Sequence, residues 1–214
     1  TKEDANHLID SLRAHYKCTT DWAGTNYCGL TFARHFYDNY VDVSMPKYVP
    51  DSLLRLWHIP HKYPQYSPHE HVPVKYGKPG KQQYATKPDQ TVLLYPKDTK
   101  HVQSTTGLFL YYGRAIDYTI LPALNEIASM QAHPTAGTKH KTQRLMDYLH
   151  TYPDAYVRYH ASGMVLHVDS DAAYLVAPKA RSHIAGYFYL AEHPNVTKRP
   201  KLKSTILVKC KILW

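Results

Sequence analysis

The sequence predicts an α+β fold: a leading helix and β-hairpin, a helical middle, and a run of strands that fills the last part of the chain. Three observations carry this. Residues 1 to 16 space their apolar side chains for a helix, residues 101 to 152 hold three further helical patterns, and everything after residue 155 is rich in β-branched and aromatic residues. With 214 residues, 43% of them hydrophobic and 20% charged, the chain is long enough for one substantial core or two small ones.

The elements follow in order. Ala5, Leu8, Ile9, Leu12 and Tyr16 share one helical stripe, and Thr1 with Asp4 resembles a capping box. "TNYCGLTFARHF" (25 to 36) and "YVDVSM" (40 to 45) flank the turn signal Asp38-Asn39, so they read as a hairpin that Pro46 ends. "PDSLLRLWH" (50 to 58) opens with proline in a helix-starting position and carries Leu53, Leu54 and Trp57 at helical spacing. Between 61 and 98, prolines recur among Tyr, His, Lys and Gln without a sustained period, which predicts an extended linker.

"STTGLFLYYGRAID" is the next helix, its end weakened by Gly113. With Thr119 as N-cap, Pro122 falls at the third helical position, where its missing N–H costs no intrahelical bond, and a second helix runs to about Gln131. Residues 139 to 152 form a third, with Leu145, Tyr148, Leu149 and Tyr152 on one face. Then "AYVRYHAS", "MVLHVDSDAAYLV", "SHIAGYFYLAE" and "STILVKCKILW" read as a four-stranded meander.

Lys plus Arg exceed Asp plus Glu by 26 to 17, a formal +9, which favours a polyanionic partner over an acidic small molecule. Twenty tyrosines and fifteen histidines add stacking faces and donors to that field. Cys18, Cys28 and Cys210 form no CxxC pair, so neither a disulfide framework nor a zinc ribbon is indicated and a reducing compartment is expected. No apolar stretch reaches membrane-spanning length, and "TKEDANHLID" lacks both a signal-peptide core and an initiator Met, as a processed product or excised fragment would.

Within "VLHVDSDAAYLV", Asp169 and Asp171 lie two apart on a strand and therefore on one face. Two such carboxylates repel, so the pair calls either for solvent at a strand end or for a divalent cation such as magnesium.

Three stretches appear in a fixed order: "TDWAGTNYCGLTFARHFYDNYVDVSMPKYV", "TTGLFLYYGRAIDYTILPALNEIASMQAHPT" and "HVDSDAAYLVAPKARSHIAGYFYL". Together they resemble the polyproteins of copia-like retrotransposons, and the similarity covers nearly the whole chain. The resemblance implies that residues 1 to 60 are the end of a reverse transcriptase palm entering the thumb, ahead of the linker read over 61 to 98. It implies a helical thumb or connection over 99 to 155, and over 156 to 214 the opening strands of an incomplete ribonuclease H-like sheet. On that match Ser170-Asp171-Ala172 corresponds to the first catalytic aspartate, which makes Asp171 the expected catalytic residue and Mg2+ ligand, with Asp169 as its neighbour at the metal.

The family's palm aspartates would precede Thr1, and its acidic ribonuclease helix would follow Trp214. The expectation is therefore a catalytically incomplete piece, in which Mg2+ binds only if further carboxylates come from elsewhere. His183 and Pro122 also depart from the family pattern. The implied partner is an RNA–DNA hybrid or DNA, held by Lys139, Lys141, Arg144, Lys179 and Arg181, with Tyr27 stacking on a sugar or base. Further basic clusters are Lys75, Lys78 and Lys81, and Lys198, Arg199, Lys201 and Lys203.

The alternative reading is a repurposed, non-catalytic protein-interaction module, with a homodimer or protein partner on the strand edge near residues 204 to 214. A third reading is a metal binder built on His58, His61, His69, Glu70 and His71. The expected location is intracellular, cytoplasmic or nuclear, without a membrane contact.

Overall fold

The computed structural model describes residues 1–70, 89–177, 181–194 and 203–213. Helix α1 (Lys2–Arg13) starts where the capping box closes: Thr1 Oγ1 accepts from the Asp4 amide at 3.3 Å and donates to Asp4 Oδ2 at 2.7 Å. None of its residues is buried, and Leu8 and Leu12 stay exposed, so the predicted stripe forms a helix without packing into the core.

The stretch read as one strand over 25 to 36 is two. Strand β1 (Asn26–Tyr27) turns into β2 (Leu30–His35) through Cys28 (φ 50°) and Gly29 (φ 80°), both left-handed, as a two-residue primed turn requires. Strand β3 (Tyr40–Ser44) follows, paired antiparallel to β2 from His35↔Tyr40 to Thr31↔Ser44. Its other edge takes β4 (Tyr156–His160), registered Tyr40↔His160, Asp42↔Arg158 and Ser44↔Tyr156. The first of the four terminal strands thus completes the N-terminal sheet, of order β1-β2-β3-β4, and does not join the meander. That sheet crosses the boundary drawn at residue 156 from the sequence.

Helix α2 (Tyr48–Arg55) buries Val49 and Leu53, but it stops before Trp57, whose φ of 53° turns the chain away and leaves the indole exposed with Leu54. Helix α3 (Pro96–Ala115) begins eight residues before the sequence signal, with Pro96 in the first turn where its missing N–H has no intrahelical partner to lose. Gly113 does more than weaken the helix end. A Cβ there would stand 3.1 Å from Ile120 and 3.2 Å from Leu121, so glycine lets the two helical segments close up. Asp117, rather than Thr119, caps the next turn by accepting from the Thr119 amide at 3.1 Å, and α4 (Leu121–Met130) carries Pro122 in its first turn.

Helix α5 (Ala136–Thr151) is capped by buried Thr135, whose hydroxyl accepts from the Thr138 amide at 3.2 Å and donates to the Asp89 carboxylate. That donated bond holds the Asp89 carboxyl below the usual carboxylate range. Thr135→Ala is expected to remove the cap and orphan this contact, lowering stability by about 1–2 kcal/mol, which a urea denaturation midpoint would read.

The core lies between α2 to α5 and the inner face of the first sheet. Val43 from the strands meets Val102, Phe109, Tyr112, Leu124, Ile127, Leu145 and Leu149 from the helices, all buried, and Val157 of β4 is buried beside Val43. The last three strands, β5 (Val165–Ala177), β6 (Arg181–Ala191) and β7 (Ser204–Leu213), form a separate antiparallel meander in the order β5-β6-β7. It leans on the helices where Asn125 Nδ2 donates to the Cys210 carbonyl at 2.6 Å, and on the first sheet where the His160 amide donates to the Lys203 carbonyl at 2.8 Å. The molecule is mixed α+β, with five α-helices and two antiparallel sheets among the described residues. None of those helices is long and apolar enough to cross a membrane.

Candidate nucleic-acid interface

Asp169 and Asp171 sit in the middle of β5, opposite Tyr187 and Ala185 of β6, and both are exposed. Alternation puts them on the same face as buried Tyr189 and Ile212, with Leu166 and Val168 on the other. They occupy the outer margin of the packed face rather than a strand end. Asp171 Oδ1 accepts from the Ala172 amide at 2.8 Å. Among the described residues no third His, Cys, Asp or Glu joins them in a group that could hold a metal ion. Two carboxylates supply too few ligands and too little charge for a pair of divalent ions, so the donor set present does not fit a two-metal centre.

The basic residues expected at phosphates are largely engaged within the fold. Lys139 Nζ lies 2.9 Å from Asp98 Oδ1, Lys141 Nζ 2.5 Å from Glu126 Oε1, and Arg144 3.7 Å from Glu70 Oε1. The two lysine pairs are exposed, weak and screened by salt, so a phosphate can exchange for the carboxylate with small net loss, whereas the Arg144 side chain is 24% exposed. Arg181 is buried, which removes it from the surface a phosphate would meet. Lys203 reaches Glu192 Oε1 at 2.9 Å. Lys179, together with Lys75, Lys78, Lys81, Lys198, Arg199 and Lys201, lies outside the described residues, as does His71 of the histidine cluster.

Tyr27 is exposed at the tip of the β1–β2 hairpin. Tyr111 of α3 anchors that tip, donating from its hydroxyl to the Cys28 carbonyl at 2.7 Å. The hairpin is therefore fixed to the helical layer while the Tyr27 ring faces solvent. His58 is placed differently from the metal-binding expectation. Its side chain is 1% exposed, and Nε2 lies 3.2 Å from Asp147 Oδ1, while Gln143 Nε2 stands 3.3 Å from Nδ1. Asp147 Oδ1 also accepts from the His61 amide at 3.0 Å, so this cluster ties the segment after α2 to α5.

A further cluster escaped the sequence reading. On the solvent face of the first sheet, Arg158 forks onto Asp42, with Nε 2.7 Å from Oδ1 and a terminal nitrogen 2.8 Å from Oδ2. Its guanidinium lies 3.9 Å from the Tyr40 ring centre and 5.4 Å from that of Tyr156. From the neighbouring strand β2, on the same face, His35 stacks on Tyr40, with ring centres 4.3 Å apart and an angle of 24°. The hydrogen bonds from Arg158 hold the Asp42 carboxyl below its usual range and push the guanidinium still further up. The outward alternation of Tyr40 and Asp42 in "YVDVS", and of Tyr156 and Arg158 in "YVRYH", was a readable signal. That these two strands pair was not.

Comparison with family models, with curated proteins and with solved structures finds no match to this chain.

Proposed function

We propose that this chain is a reverse transcriptase and ribonuclease H fragment of retroelement type, which contacts template-primer or RNA–DNA hybrid without a complete active site of its own. The observation that carries the reading is the order of its three motif stretches, ending in an aspartate placed mid-strand. Asp171 stands in the first strand of a three-stranded antiparallel meander, flanked by Ser170 and Ala172. A carboxylate in that position, at the margin of a packed face, is suited to help hold Mg2+ at a phosphodiester once other carboxylates are supplied. On this reading the net charge of +9 brings the polyanion in. Exposed Lys139 and Lys141 exchange their carboxylate partners for phosphates, and Tyr27 lies against a sugar or base.

Fluorescence anisotropy with a labelled RNA–DNA hybrid tests this. Binding is expected at low ionic strength, with the logarithm of affinity falling linearly against the logarithm of salt concentration. Each of Lys139→Ala and Lys141→Ala is expected to make that slope shallower by about one. Affinity too low to measure in dilute salt would end the binding claim.

One observation favours the alternative of a protein-interaction module. Strand β5 has no strand on its far side among the described residues, and Leu166, Val168, Ile184 and Leu207 are exposed on the outward face of its sheet. At β7, by contrast, the outer side is met by Asn125 at Cys210. A protein-protein contact would therefore use the β5 edge, and sedimentation velocity would detect a homodimer formed there.

A further inference from the structure

The solvent face of the first sheet is built differently from the basic surfaces above. Alternation sends Val41, Val43 and Val157 inward and leaves Tyr40, Asp42, Tyr156 and Arg158 on the outside of β3 and β4, with His35 added from β2. Cross-strand neighbours then line up their flat groups in a row, from His35 through Tyr40 and Arg158 to Tyr156. The row is open to solvent at both ends: Tyr156 is 60% exposed, and the His35 side chain 40%. Its middle is rigid, because the two parallel bonds to Asp42 fix the plane of the guanidinium.

Charge decides what such a surface can recognise. Arg158 is neutralised by Asp42, which is only 18% exposed and hydrogen-bonded through both oxygens, so an incoming phosphate would have to displace a well-held fork. What remains on offer is π surface. Nucleobases stack on aromatic rings and on guanidinium planes with little regard to sequence, and they can do so only when unpaired, since a duplex hides their faces.

We infer that this face is a stacking platform for unpaired nucleotides of RNA or DNA, with one base on the exposed Tyr156 ring and another at the His35 end. The inference rests on the proposed role for the class of partner, and adds that single-stranded stretches have a site distinct from the lysines that serve the duplex.

The test uses the whole chain with labelled oligouridylate and oligothymidylate of about ten nucleotides, within the usual site size for single-strand binders. An abasic strand of the same length, with phosphates but no bases, serves as the comparison. Both base-bearing strands are expected to bind, and the abasic strand to bind at least tenfold more weakly. Tyr156→Leu, which keeps an apolar side chain but removes the ring, is expected to weaken base-bearing strands about 5- to 150-fold, from stacking of roughly 1–3 kcal/mol per base. Tyr156→Phe is expected to bind as the natural chain does. Unequal binding of the two base-bearing strands would assign the site to RNA or to DNA. Equal affinity for abasic and base-bearing strands would overturn the inference. So would a Tyr156→Leu variant that keeps its denaturation midpoint and binds unchanged. Hybrid binding should survive Tyr156→Leu: its loss in the natural chain with oligonucleotide binding retained would overturn only the duplex role, and the reverse only the platform.

Discussion

Phe109→Ala is expected to lower the stability of this protein by about 3–5 kcal/mol, a large share of the roughly 5–15 kcal/mol that holds a typical domain folded. Phe109 lies wholly buried in the C-terminal half of α3, in one cluster with side chains from three other helices and the first sheet. Removing its ring deletes apolar contact and leaves a cavity whose walls are rigid helices, so the site collapses only in part. Urea denaturation followed by far-ultraviolet circular dichroism measures the effect. A loss below about 1 kcal/mol would mean that the helices and the first sheet do not share one core.

Asp147→Ala is expected to have the next largest effect, about 1–3 kcal/mol, by leaving the His61 amide without its acceptor and the buried His58 ring without the carboxylate that stands 3.2 Å from it. The same cluster sets the response to acid. Burial pushes the His58 pKa below its ordinary value, with nearby Asp147 pulling upward and His150 and His101 pushing down; burial likewise lowers His101, whose neighbours Asp98 and Lys139 act in opposite directions. A histidine with a depressed folded-state pKa contributes stability that is complete above its unfolded value, about 6.5, and is lost as pH falls toward the folded value. The urea midpoint is therefore expected to be level above about pH 7.5 and to decline through pH 6 and 5. Asp42 and Asp89, whose hydrogen bonds hold them low, add a second loss only in the acid range below the ordinary carboxylate value. His58→Gln should flatten the first decline. A midpoint that rises between about pH 7 and 5 would contradict a neutral, buried His58.

Local patterns were legible where neighbours along the chain decide the outcome. The Thr1–Asp4 capping box, α5 with its buried Leu145 and Leu149, and the extents of β5, β6 and β7 all follow from spacings of two to four residues, which the eye can read. Where the decision belongs to distant partners, the reading stopped short. Pro96 opens α3 although the residues up to 98 look like linker, because Val102 and Phe109 are drawn into a core that no local period announces. The single strand expected over 25 to 36 became two, since the Cys28-Gly29 turn depends on an anchor from Tyr111, 83 residues away.

The candidate sites divide in the same way. Sequence alone determined that Asp169 and Asp171 share a strand face, that the chain is strongly basic, and that its end is a β-meander. Only the tertiary structure decided which strand joins which sheet, and so brought Arg158 to Asp42 across 116 residues and set Tyr40 and Tyr156 beside it. It likewise paired Lys139 and Lys141 with acids on other helices, and buried His58 against Asp147. The reason is physical: backbone alternation and helical period are fixed by bonded geometry within a few residues, whereas strand pairing and charge matching are settled by burial and cross-strand contact among segments the chain has yet to bring together.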